Sequence, residues 1–464
     1  MNTPTLDIRI PAACERESRW TCSVVLERFL GLAVRYGETE GDRLIIERDD
    51  RSIEMDISFL QGAHEHWLNA ASMPGADVAS WNASKSGLAD NLLEPLIPVI
   101  AGTPSVNLDD PNRMRFEFDL MGTIFFCLSR YEECVIPDRD EHDRFPAAAS
   151  LAYRHGFLQR PIVDEYVEIL WNALHRQWPD LERKHDNPRI NMSCDVDHLR
   201  DPAAHSLPRL VRRLIALGLG RTNSGTWSSN IRNHLQVRRH GSDRDPYRST
   251  ITRMMNDAEE RGHHLTFFFI PRTTASLLDG DNRPEDDVTR AILTAIHQRG
   301  HEIGAHPGYE TYRHPTEFSQ SIRHLREQLN ELGINHDRLG NRQHYLRWST
   351  EITPGLCDRN ALHYDSSLGY AQCPGFRCGT SRDYPMYDLV PRKPLNTLQR
   401  PLVVMDVSLL NKNYHQTERL DDALQLVRTL RERCLHHGGN FNALWHNSSF
   451  MVPGSESLYA TAIG

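Results

Sequence analysis

The sequence predicts an α/β protein in two parts. A smaller α+β module occupies residues 1–186, and parallel βα units, closed as a barrel or laid out as a doubly wound sheet, occupy 187–464. Three observations carry this reading. A polar, Pro-containing stretch, Asp180-Leu-Glu-Arg-Lys-His-Asp-Asn-Pro188, separates two kinds of pattern. Beyond it, strand-like and helix-like segments alternate over about 275 residues. Several of those predicted strands end in an acid or a histidine, and the C-terminal strand ends are where parallel βα architectures gather their chemistry.

In the first part, RLIIER (43–48) and SIEMDISFL (52–60) read as half-buried strands, the second alternating Ile53, Met55, Ile57 and Phe59 on one side. FDLMGTIFFCLSRYEE (118–133) and VDEYVEILWNALHRQW (163–178) read as helices. In the second part, strands are predicted at 189–197, 264–271, 301–306, 402–409 and 440–446. Helices are predicted at 287–300, at 316–333 with Phe318, Ile322, Leu325, Leu329 and Leu332 at helical spacing, and at 418–437.

Composition narrows the function. With 53 Lys+Arg against 62 Asp+Glu the formal charge is −9, which excludes a globally basic nucleic-acid binder, and 39% apolar residues suffice for a full core. Nine cysteines at irregular spacing indicate neither a disulfide framework nor a zinc ribbon, since Cys373 and Cys378 lie too far apart for the latter. No secretory signal and no apolar run of membrane-spanning length is visible, so a cytoplasmic protein is expected. One segment breaks the charge balance. Between Arg209 and Arg248 there are nine Arg and two acids, in an insertion of about 201–250 that begins with the amphipathic pattern LPRLVRRLIALGLG (207–220). Such a helix can touch an anionic lipid surface, hold a phosphate group, or dock on its own domain.

Strand 189–197 ends in Asp195-Val-Asp197, strand 301–306 in His306 and strand 440–446 in His446. Residues two apart on an extended strand point the same way, and two carboxylates so placed repel unless a cation or a proton intervenes. One metal ligand and one general base is the functional reading; a surface or capping pair is the bland one. A serine hydrolase is disfavoured: Ser448 and Ser449 follow His446, but no Gly-x-Ser-x-Gly elbow exists.

Four ordered motifs now carry a resemblance. Ser193-Cys-Asp-Val-Asp197, Gly300-His-Glu-Ile-Gly-Ala-His306, Arg342-Gln-His-Tyr345 and Leu444-Trp-His446 resemble the motifs of the polysaccharide deacetylase (NodB-homology) family. The first part, through SRYEE (129–133), RF (144–145) and GFLQRPIVDEY (156–166), resembles a module found on bacterial members linked to surface-polysaccharide synthesis. The resemblance implies a distorted parallel (β/α) barrel of the NodB type. It also implies a metal-dependent hydrolase removing an N-acyl group, typically acetyl, from an amino sugar; the expected cytoplasmic placement and the basic insertion between Arg209 and Arg248 suggest that this sugar is nucleotide- or lipid-linked.

By residue, the resemblance makes Asp195 the general base, paired with Arg342, and His446 the general acid, oriented by Asp406. Asp197 and His306 become ligands of a divalent ion, zinc first with manganese or magnesium as alternatives, and Tyr345 faces the substrate. The family's second histidine would fall at position 310, which is Glu310. Three arrangements compete: Glu310 supplies an oxygen ligand, His314 reaches back, or fewer protein ligands remain. Arg377, in a glycine-containing stretch, is a candidate contact for a sugar's carboxylate or phosphate. His198, His344, His436 and His437 read as solvated or supporting rather than ligating. A glycan-binding protein without metal and an amidohydrolase acting on a non-sugar C–N bond remain the alternatives.

Overall fold

The computed structural model describes residues 4–280, 283–410 and 419–464, and shows an α/β protein with mixed sheets. The N-terminal strands are β1 (Thr5–Pro11), β2 (Ala33–Thr39), β3 (Leu44–Arg48), β4 (Arg51–Met55), β5 (Ala79–Asn82), β6 (Leu96–Val99), β7 (Gly102–Asp110) and β8 (Arg113–Phe118). Six of them form one sheet in the order β2-β1-β3-β4-β8-β7, and β5 pairs with β6 apart from it. Helices Leu120–Ser129, buried throughout, and Ile162–Gln177 complete this core.

The strand expected over 52–60 stops at Met55, and a helix runs from Ser58 to Glu65. Asp119 explains the change. Its carboxylate accepts the N–H groups of Phe59 (3.0 Å) and Leu60 (3.1 Å) as well as that of Gly122 (2.6 Å). One buried acid thus caps the start of two helices, a tertiary contact that overrides the local alternation.

The second sheet contains β9 (Ile190–Val196), β10 (Thr266–Phe269), β11 (Glu302–Ala305), β12 (Gly340–Asn341), β13 (Tyr364–Asp365), β14 (Tyr384–Asp388), β15 (Lys393–Gln399), β16 (Val404–Met405) and β17 (Phe441–Leu444). Their order is β14-β15-β13-β12-β11-β10-β9-β17-β16, and every neighbouring pair is parallel except β14–β15. Among the described residues β14 and β16 are not paired with each other, so the ladder is open where a closed barrel would join its ends. The strand expected over 402–409 shrinks to Val404–Met405 because a short helix, Asp406–Leu410, begins at once. The helix expected from 418 is described from Leu420 to His436; residues 411–418 lie outside the described residues.

Apolar burial around β9, β10 and β17 forms the second core, including Met192, Cys194, Phe267, Phe269, Ala443 and Trp445. The first core does not stop at the N-terminal module: Tyr384, Met386 and Tyr387 of β14 and Leu395 of β15 belong to it. Gly304 in β11 shows how tightly the second sheet is built. A Cβ there would stand 2.4 Å from the Phe268 ring, and that ring lies 4.9 Å from the Arg342 guanidinium.

Candidate active site

Asp195 is the penultimate residue of β9, Asp197 follows that strand, His306 follows β11, Arg342 follows β12, Asp406 follows β16 and His446 lies just beyond β17. Because β16, β17, β9, β10, β11 and β12 are parallel neighbours, their C-terminal ends lie along one edge and deliver Asp195, Asp197, His306 and His446 to one pocket of about 360 Å³, with Arg342 and Asp406 behind its lining. Its lining includes Asp195, Asp197, His306, His344, Tyr345 and His446.

Asp197, His306 and His344 each turn one donor atom inward, all within 4.8 Å of one another. Asp197 Oδ1 is 3.3 Å from His306 Nε2 and 3.5 Å from His344 Nε2. Backbone and buried acid fix both rings from behind: His306 Nδ1 donates to the Arg342 carbonyl at 2.6 Å, and His344 Nδ1 donates to Asp279 Oδ1 at 2.8 Å. With Nδ1 of each ring so engaged, the Nε2 atoms face Asp197. Asp279 is itself held by N–H groups of Thr274 (2.6 Å), Ala275 (2.8 Å) and Tyr309 (2.8 Å).

Asp197 Oδ1 and His306 Nε2 are buried and lack a hydrogen-bond partner among the described residues. Buried polar atoms left without a partner are costly unless something else binds them, and one carboxylate oxygen with two imidazole nitrogens is a sound ligand set for a divalent transition-metal ion. The residues present therefore fit a metal. Without one, charge pairing dominates the site. Burial works to raise the pKa of Asp197, but the neighbouring His344, with His306 and His446, holds it well below the usual carboxylate range. Burial opposes protonation of His344, yet Asp197 and Asp279 push it up to about 9.

Two further pairs flank the three donors. Asp195, buried, has Oδ2 3.7 Å from His306 Nε2 and Oδ1 3.6 Å from Arg342 Nη1. Arg342 is anchored by Ser193 and Ser366, whose hydroxyls each accept from its Nη2 at 3.1 Å. On the other side His446 Nδ1 lies 2.8 Å from Asp406 Oδ1, and Asp406 Oδ2 accepts the His446 backbone N–H at 2.7 Å. Burial opposes the charge on His446, but Asp406 first, then Asp197 and Asp195, push its pKa up to about 10. Its Nε2 is 3.8 Å from Asp197 Oδ2, so a proton donor and the three-donor cluster share one wall.

Tyr345 and Leu346 take left-handed backbone angles, φ 62° and 56°. That turn swings His344 toward the pocket, and it is tied down from the N-terminal module: Arg144 Nη1 donates to the Tyr345 carbonyl at 3.1 Å. Arg144 also lines the pocket.

Two sequence expectations for ligands are corrected here. Glu310 points away, half-exposed, with Arg347 Nη1 at 3.6 Å. His314 bonds through Nδ1 to the Glu310 carbonyl and stands at the residue just before the helix Pro315–Glu331. The reason is the turn after His306, where the Tyr309 N–H is captured by Asp279 and the chain leaves the pocket. The second imidazole grouped with Asp197 and His306 is that of His344, read from sequence as a supporting residue. Arg377 is corrected too. It is buried away from the pocket, giving Nε and Nη2 to Glu133 at 2.8 and 2.7 Å and Nη1 to the Gly369 carbonyl. Sequence reading missed Asp279 altogether and the part played by Arg144, which stands in the quoted RF pair.

A family model matches part of the chain. Described as a family of unknown function (DUF7033), it spans residues 6–179. No curated protein matches. Among solved structures, a Mycobacterium smegmatis protein assigned as a polysaccharide deacetylase aligns at 17% identity, over 60% of this chain and 84% of that one, with a TM-score of 0.34. Puue allantoinase aligns at 14% identity, over 59% of this chain and 83% of that one, with a TM-score of 0.35.

Proposed function

We propose that this chain is a zinc-dependent hydrolase that removes an N-acyl group, typically acetyl, from an amino sugar in the assembly of a surface glycan. One observation carries the reading: three convergent donors, Asp197 Oδ1, His306 Nε2 and His344 Nε2, stand between a carboxylate paired with Arg342 and an imidazole paired with Asp406. Two imidazoles and one carboxylate favour zinc over magnesium or calcium.

A divalent ion held by those three residues supplies Lewis acidity toward an amide carbonyl and lowers the pKa of water. Asp195 accepts the proton of the attacking water, and Arg342 keeps that carboxylate turned into the pocket. His446 carries a proton to the departing amine, and Asp406 holds the ring so that Nε2 faces the reacting group. Tyr345, on the pocket wall, offers an aromatic face to a sugar ring.

The test incubates purified protein with N-acetylated amino sugars, free, nucleotide-linked and lipid-linked, under zinc, manganese or chelator, and measures released acetate. Release that chelation stops and zinc restores is expected, and Asp195→Asn should lower it by about 100-fold or more while leaving bound metal unchanged. Protein that binds no divalent ion and releases nothing from any of these substrates rules the proposal out.

A further inference from the structure

The insertion folds into a helical hairpin whose outer face is apolar. Helix Leu207–Gly218 exposes Leu207, Val211 and Ile215, continued by Leu219 just past its end, and helix Trp227–His240 exposes Trp227, Ile231 and Leu235. Both sets recur every fourth residue, so each forms one stripe along its helix. Trp227 packs beside Gly218 at the turn, so the two stripes meet there. Ile215, Leu219 and Trp227 are 55%, 60% and 54% exposed, and seven of the thirteen exposed large apolar side chains among the described residues lie on this hairpin. Scattered exposed leucines need no explanation, but a contiguous patch does.

The inner face is tied down by an ion pair and hydrogen bonds. Arg213 pairs with Asp201 at 2.7 Å and donates to Asn230 at 3.1 Å, and His234 Nδ1 meets the Ala203 carbonyl at 3.2 Å. The remaining Arg of the hairpin, at 209, 212, 221, 232, 238 and 239, are exposed, and no acid occurs between Asp201 and Asp243. Apolar stripes rimmed by cations in a chain of net charge −9 match a surface of acyl chains under anionic headgroups. A second copy of this chain fits poorly, because an isologous contact sets each patch against its twin and brings the two arginine sets together.

The hairpin also touches two segments that line the pocket. Asn233 Nδ2 donates to Met451 Sδ at 3.6 Å, and Asn223 Nδ2 donates to the Leu410 carbonyl at 3.4 Å. These contacts fall on the segments that carry pocket residues Ser448 and Ser449 on one side and Met405 and Val407 on the other. We propose that the hairpin docks the protein on an anionic membrane surface and so presents the pocket to an amino sugar carried on a lipid anchor. The docking stands by itself; the lipid-anchored substrate rests on the hydrolase reading above.

Flotation of the full chain with phosphatidylcholine vesicles, with and without about a third phosphatidylglycerol, tests it. Binding at least about tenfold tighter to the anionic vesicles, weakened by high salt, is expected. The triple variant Val211→Asp, Ile215→Asp, Ile231→Asp should lose at least about tenfold in that affinity. The quadruple variant Arg209→Gln, Arg212→Gln, Arg238→Gln, Arg239→Gln, which breaks no ion pair of the described residues, should lose the preference for anionic lipid. Absence of vesicle binding, equal binding to both vesicles, or a wild-type dimer that the triple variant dissociates would each overturn docking, the last assigning the face to a second copy. Docking is read with Asp195→Asn protein and no substrate, and hydrolysis with a soluble acylated sugar, so either can fail without the other.

Discussion

Replacing His344 with alanine removes one of three donors and leaves the Asp279 carboxylate buried without its imidazole. Divalent-ion affinity should fall about 100-fold or more in titration calorimetry, whereas Glu310→Ala and His314→Ala should leave it unchanged. The reverse pattern would discard the ligand set. Asp406→Asn addresses the other side of the pocket. The proposed reaction needs His446 protonated, and Asp406 is the main cause of its pKa rising to about 10. The variant should turn over about 100-fold more slowly with its metal intact, and the alkaline limb of its pH–rate profile should move to lower pH. A limb that stays in place would detach His446 from the acid role. Asp195, Asp197, His306 and His446 were legible in the sequence because each sits at or just past a strand end, where register alone aims it. His344 was not, because its direction depends on the left-handed Tyr345–Leu346 turn and on Asp279, which is distant in sequence.

At the scale of elements, the SRYEE segment forms a buried clasp between the two parts of the chain. Glu133 accepts from Arg130 Nε at 2.9 Å and from Arg377 Nε and Nη2 at 2.8 and 2.7 Å, with all three side chains at most 4% exposed. Glu133→Ala leaves two guanidinium groups buried without their shared acceptor and should cost about 3–5 kcal/mol in urea unfolding. Burial raises the Glu133 pKa, but Arg377 and Arg130 outweigh it and bring it from 4.5 to about 2. Because the folded pKa lies below the unfolded one, the contribution is complete above about pH 4.5 and fades as pH falls toward 2. The gap between wild type and variant should therefore narrow over that window; a constant gap would show that the carboxylate's charge is not what the clasp uses. Long elements such as Ile162–Gln177 and Pro315–Glu331 were legible from periodicity. The strands expected at 52–60 and 402–409 were not, because a distant carboxylate caps a helix inside the first and a helix starts at Asp406 in the second.

For the whole molecule, the polar stretch at 180–188 marks where one sheet gives way to the next, yet apolar burial runs across it. Trp20 packs 5.2 Å from Tyr387, the Tyr384 hydroxyl donates to the Leu128 carbonyl at 2.8 Å, and Glu17 accepts from the Tyr387 hydroxyl at 2.7 Å and from Arg392 at 2.9 Å. The β14–β15 hairpin, though hydrogen-bonded into the second sheet, thus fills the core of the first. Composition along the chain reveals a boundary but not which later strands return across it, since that depends on contacts between residues hundreds of positions apart. Removing residues 1–186 should strip the partner surface from Trp348, Leu368, Tyr384, Met386 and Leu389 together. It should also free the Tyr345 turn from Arg144. Residues 187–464 expressed alone should aggregate or bind a hydrophobic dye, and co-expression with 1–186 should restore soluble protein and its metal affinity. The intact chain should unfold in one cooperative transition by calorimetry. A second part that is soluble alone, melts at the temperature of the full chain and binds metal equally well would show that the shared core contributes little to holding the site.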